Sequence, residues 1–304
     1  MGKKQRRLLE RFNILSPPVQ EPTPREGPLG DDALPFYIND PKRPFTFKPQ
    51  SAKPNFIPEL AGTFKEMDGD RFESLEKNKK IKENNPEWLY HTKEVRYTTN
   101  RDGYRTYEWD KVDWPNAIVI FGCSCTYGIG VDDDHTLSAY LEKYSGRQVV
   151  NLGVGGGSNS LMLQNNLNLL ENFGTPYAVV NNWSTSDRFE FFGKHNPYHA
   201  GPWDGLQVNG PRLDKGPSDM IDIEQLWKNT FADPSHEAGL SFYEGQMGKW
   251  LWEGRCKYAS ISFFPGSPLH LDKQFMIDNQ ARDCIHPGLG NYKEIAKYLW
   301  KRFK

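Results

Sequence analysis

Four short stretches of the chain hold the groups that acyl transfer requires. Gly122-Cys123-Ser124-Cys125-Thr126 places a serine directly after an apolar run. Asn151-Leu152-Gly153-Val154-Gly155-Gly156-Gly157-Ser158-Asn159 offers backbone amides with little side-chain bulk. Trp183-Ser184-Thr185-Ser186-Asp187-Arg188 carries hydroxyls and a cation, and Asp283-Cys284-Ile285-His286 puts a carboxylate three residues before an imidazole. Attack on a carbonyl carbon needs a nucleophile, a base, a group that orients the base, and donors for the oxyanion. Ser124 is the candidate nucleophile, His286 its base and Asp283 the orienting carboxylate. The backbone amides of Ser124 and Gly156 are candidate oxyanion donors, and a side chain at 156 would obstruct the substrate. Arg188 and Asn159 are candidate substrate contacts. Arg188 suits an anionic substrate group or a carboxylate partner equally well.

These stretches acquire meaning from the segments that precede them. AIVIF (117–121), QVVNL (148–152), YAVVN (177–181) and YASISF (258–263) read as short buried strands. Helices are expected between and after them. One spans 136–145, with Gly146 as its stop. Another spans about 158–172 behind Ser158 as N-cap. Two more are expected near 236–254 and 290–303. Alternating strands and helices predict a three-layer α/β/α sandwich with a parallel sheet, flavodoxin-like in plan. In such sheets the site lies at the carboxyl ends of the strands, where all four stretches would gather.

The serine block, the Asn-x-Gly-x-x-Gly turn and the late Asp-x-x-His resemble the first, second and last blocks of the SGNH (GDSL-like) hydrolases. YTTNRDGYRTYEW, ahead of the first strand, resembles a subgroup of these esterases with an Asn-x-x-Gly-Tyr-Arg segment before the serine. The resemblance covers about 95–304. It implies a serine esterase needing no cofactor and no metal, with O-acetyl groups on a carbohydrate as the commonest substrate. Two positions depart from the pattern. Cys123 stands where the family usually has Asp. No Asn follows Trp183, so Ser186 or Thr185 would supply the third oxyanion donor. A weaker resemblance to phage-encoded virion components implies the alternative: a structural or assembly protein of low or no activity.

The remaining sequence bounds these readings. Lys and Arg total 38 and Asp and Glu 39 among 304 residues. This balance offers no global electrostatic case for nucleic acid or membrane. Cys123 and Cys125 are too close for an easy mutual disulfide, and a reducing compartment is expected. Cys123, Cys125, Cys284 and His286 lack zinc-finger spacing. Asp132, Asp133 and Asp134 are expected to complement a helix dipole. The basic start MGKKQRRLLERFNIL has no apolar run behind it, so no signal peptide is expected, and the protein would be cytoplasmic or virion-associated. Residues 1–58 read as a basic, proline-rich extended arm whose aromatics, among them Phe36, Phe45 and Phe56, either dock on a virion or oligomer partner or wrap the chain's own domain. A charged helical linker region is expected over 59–94. Residues 95–110 read as a hairpin or paired strands around Asn100–Gly103, and 190–235 is poorly periodic.

Overall fold

The computed structural model describes residues 44–45, 61–63, 80, 83, 89, 95–186, 188–192, 197–200, 234–264, 271–283 and 285–304. In chain order the elements are β1 (Ala61–Thr63), β2 (Arg96–Thr98), β3 (Ile118–Gly122), α1 (Ser124–Tyr127), α2 (Leu137–Ser145), β4 (Val149–Gly153) and α3 (Asn159–Phe173). They continue with β5 (Ala178–Trp183), β6 (Phe189–Phe192), β7 (Pro197–Ala200), α4 (Pro234–Trp252), β8 (Lys257–Ser262), β9 (Lys273–Gln274) and α5 (Leu289–Phe303).

β4, β3, β5, β8 and β9 form one sheet in that order, parallel throughout. Numbered within the sheet, this is the 2-1-3-4-5 order of doubly wound folds. Every residue of β3, β4 and β5 is buried, as expected for strands covered on both faces. α2 packs with α5 and α3 packs with α4, so the helices pair in two sets. The expected caps are in place. Thr136 accepts from Ala139 N, Ser158 accepts from Leu161 N, and Gly146 closes α2 with φ 68°. The sequence therefore yields its expected α/β/α sandwich around a parallel sheet.

Three expectations change. Of the hairpin or paired strands expected over 95–110, one strand forms, and β2 finds its antiparallel partner outside the stretch, in β1. Asn100 folds the chain back at once, its side chain accepting from the amides of Asp102 and Tyr104, with Gly103 at φ 88°. The acidic run does more than face a helix end: Asp133 and Asp134 lie in the first turn of a short 3-10 helix, Asp133–His135. Asp132 accepts from Arg96 N and Asp133 from Thr98 N, so the two carboxylates satisfy the free edge of β2. The unperiodic middle segment contains an antiparallel pair, β6 and β7. Of the arm, Pro44 and Phe45 are described. Phe45 is buried in its own domain among Tyr104, Trp109, Trp114 and Phe173. The rest of 1–58, and most of 59–94, lie outside the described residues.

Candidate active site

β3 ends at Gly122, Cys123 is extended, and Ser124 opens the one-turn helix α1. Gly128, left-handed at φ 86°, stops that helix by donating its N–H to Ser124 O. Two glycines allow α1 to lie on the strand ends. A Cβ on Gly122 would stand 1.9 Å from Thr126 Oγ1, and one on Gly153 would stand 2.3 Å from Tyr127 N. Side chains then pin the turn from both neighbouring strands. Asn151 Nδ2 donates to Thr126 O at 2.9 Å while its Oδ1 accepts from Gly153 N. Asn182 Nδ2 donates to Thr126 Oγ1 at 2.9 Å. Ser124 is thus held, largely buried, at the carboxyl edge of the sheet.

Asp283 and His286 lie in the loop before α5. Asp283 Oδ1 accepts from the backbone amides of Ile285 and His286 at 3.1 and 3.0 Å. Its Oδ2 is hydrogen-bonded to His286 Nδ1. The loop is closed by Ala281 N donating to His286 O at 2.9 Å and by a bridge between Gln280 and Pro287. This geometry directs His286 Nε2 away from Asp283. The imidazole is 18% exposed and the carboxylate 1%. Burial opposes charge on both, yet their attraction wins: His286 is raised and Asp283 lowered from ordinary values. Two bonds join this loop and its helix to the serine turn: Arg282 N donates to Gly130 O and Tyr292 Oη donates to Cys125 O. Ser124 Oγ and His286 Nε2 are not hydrogen-bonded to each other here; such contacts commonly tighten only around substrate.

Around this pair the other sequence candidates take different places. Gly156 has φ 70° in a turn closed by Gly157 N donating to Val154 O. Its left-handed backbone, beyond the space its lack of a side chain leaves, accounts for the glycine. Ser186 is half-buried in the turn after β5. Arg188 is buried, with Nη1 donating to Gly157 O at 3.4 Å. Its charge acts weakly to lower His286 while that of Cys123 acts to raise it, both behind burial and Asp283. The Cys123 thiol is held well below its ordinary value. A hydrogen bond with Cys125 acts most, burial opposes, and Arg188 and Ser184 add to the lowering. Asn159 has a fold role that its sequence position did not suggest: its Oδ1 accepts from Ser184 N at 2.8 Å and ties α3 to the end of β5. Asp187 and Cys284 lie outside the described residues.

Two further groups near the site had no role assigned from the sequence, although one of them, Arg105, ends the Asn-x-x-Gly-Tyr-Arg segment. Glu244 on α4 is pushed up to about 7 by burial, which the neighbouring Asn159 amide partly offsets. Asn159 Nδ2 nonetheless forms no hydrogen bond, so the carboxyl flanks it without bonding geometry. Ser241, Glu244 and Gly248 recur at helical spacing. A Cβ on Gly248 would meet Asn181 and the Trp183 ring, so this face of α4 lies against β5. That period was the available signal. The second group is Arg105, whose guanidinium reaches the turn after α1.

No family model matches this sequence, and no curated protein matches it. Among solved structures, the chain is similar to a family two carbohydrate esterase from Cellvibrio japonicus. Identity is 14%, covering 62% of each chain, with TM-score 0.31. It is also similar to a carbohydrate esterase family 2 enzyme with a carbohydrate-binding domain from Corynascus thermopiles (Myceliophthora fergusii). There identity is 16%, covering 62% of this chain and 65% of that one, with TM-score 0.31. A third is AlinE4, an SGNH-hydrolase family esterase, at 17% identity over 61% of this chain and 93% of that one, TM-score 0.25. Superposition at this level carries no weight by itself, and the chemistry has to be judged from the side chains at the strand ends.

Proposed function

We propose that the chain is a serine hydrolase acting on carboxylic esters. The observation that supports this best is the Asp283–His286 pair in a closed loop that is hydrogen-bonded to the turn following Ser124. In this reading Ser124 Oγ attacks the carbonyl carbon, and His286 Nε2 takes the hydroxyl proton. The tetrahedral oxyanion accepts from the amides of Ser124 and Gly156 and from the Ser186 hydroxyl. Collapse breaks the bond to the alcohol oxygen, which His286 protonates as it leaves. Water then attacks the acyl-serine by the same route. Asp283 stays ionised and steadies the imidazolium. Arg188 adds positive charge beside the site. O-acetyl esters on a carbohydrate are the proposed natural substrate, on the sequence resemblance alone.

Hydrolysis of p-nitrophenyl acetate and labelling by a fluorophosphonate probe test the reading. Both should disappear in Ser124→Ala, a loss of at least about 10⁴-fold in kcat. A folded wild type that neither turns over the ester nor takes the label would sink it. Residues 1–58 and their partner would then become the route to function, as an assembly protein.

A further inference from the structure

We propose that Arg105 is the positioning residue that registers the Asp283–His286 loop against Ser124. Its guanidinium is buried, and its donors are spent on one short stretch of backbone. Nη1 donates to Gly128 O at 2.5 Å and reaches Tyr127 O at 3.4 Å. Nη2 donates to Val131 O at 2.7 Å and to Arg96 O at 2.8 Å. Nε is paired with Asp133 at 2.7 Å, and the cation stacks 4.4 Å from the Tyr97 ring centroid. Three of the four carbonyls belong to 127–131, the turn that leaves α1.

That turn is also the seat of the acid–base loop. Gly130 O accepts from Arg282 N at 2.9 Å. A Cβ on Gly130 would come within 2.8 Å of Ala281 Cβ and 3.2 Å of Asp283 N. Gly130 N donates in turn to Tyr97 Oη at 2.7 Å, so the tyrosine that stacks on the guanidinium also holds the glycine. One side of the turn continues from Ser124 and the other touches the residues before and at Asp283. Fixing the turn therefore fixes the spacing between nucleophile and base. A fork of five N–H groups can hold several carbonyls at once, which an ammonium cannot. A misplacement of about 1 Å at such a site costs on the order of a hundredfold in rate.

The catalytic consequence rests on the esterase reading; the positioning itself does not. The test uses Arg105→Lys in the full chain, checked for a wild-type thermal unfolding midpoint. It is read by kcat and KM, and by the low-field proton resonance of His286 Nδ1–H. Arg105→Lys should lose tenfold or more in kcat with KM little changed, and its low-field resonance should shift or broaden. In Arg105→Ala, free guanidinium at a non-denaturing concentration should restore part of the kcat. A folded Arg105→Lys with wild-type kcat and an unchanged resonance would overturn the proposal. If neither Arg105 variant folds, Gly130→Ala presses on the same contact from the other side. It should give the same loss, and wild-type behaviour there would overturn the proposal as well. If the wild type proves inactive, the resonance decides alone: unchanged in the variant, it refutes the positioning role; altered, it supports it while the esterase reading falls separately.

Discussion

His286 and Glu244 both have shifted proton affinities, with opposite consequences. As a base His286 must be neutral, and Asp283 raises it above its ordinary 6.5 against the effect of burial. The kcat/KM profile should therefore climb through a pKa above 6.5, and a flat profile from pH 5 to 8 would contradict the assignment. Glu244 acts on stability. Its folded pKa of about 7 lies above the ordinary 4.5, so the native state keeps a proton that the unfolded chain gives up. Stability should fall as pH rises between these values, by roughly 3 kcal/mol in all. Glu244→Gln should remove its share of this fall in denaturant unfolding measured at pH 5 and pH 8, leaving the smaller fall that the raised His286 contributes, and a wild-type slope in the variant would contradict the assignment. Ser124, Asp283 and His286 could be singled out as candidates because each lies in a short local pattern, and of these the structure adds the hydrogen bond between Asp283 and His286. The role of Glu244, and that of Arg105 at the end of the Asn-x-x-Gly-Tyr-Arg segment, could not be read, because their partners are distant in sequence: Arg105 bonds residues more than twenty positions away, and Glu244 meets Asn159 only through helix packing.

The elements that carry the site were legible where hydrophobic pattern and caps agreed. β3, β4, β5 and β8 have apolar runs between clear breakers, and α2 and α3 have Thr136 and Ser158 before them. The stretch 95–110 failed for a physical reason. Its turn signal at Asn100–Gly103 was read correctly as a turn, but β2 finds its partner in Ala61–Thr63, a pairing no local pattern can show. The closest constraint at this scale is the seating of α1 on β4. Gly153→Ala would drive a methyl into the Tyr127 amide, a backbone atom that cannot rotate away. The variant should lose about 1–3 kcal/mol of stability and a larger share of activity than of stability. Chemical denaturation beside ester hydrolysis measures both, and wild-type values for each would contradict this seating.

Across the molecule, sheet order and chain direction explain why distant segments meet. A 2-1-3-4-5 parallel sheet brings the loops after β3, β4 and β5 to one edge, and the return into α5 brings Asp283 and His286 to the same edge. Phe45 anchors its segment far from that edge in sequence, against the aromatic cluster of Trp109, Trp114 and Phe173. Phe45→Ala should cost about 3–5 kcal/mol of unfolding free energy. Esterase rates of the folded fraction should stay close to wild type, and a thermal midpoint unchanged from wild type would contradict the anchoring role. The closed loop from Gln280 to Pro287 has a different consequence. Asp283 is bonded to its own loop's amides as well as to the imidazole, so acid and base travel together as one rigid body. Displacing that loop would keep the Asp283 bond but change the burial of the imidazole and its exposure to the charges of Cys123 and Arg188, so the strength of the base and its reach are coupled. The bonds from Arg282 to Gly130 and from Tyr292 to Cys125 carry the Asp283–His286 pair onto the serine turn, so the turn, the loop and the last helix form one hydrogen-bonded unit whose parts cannot drift separately.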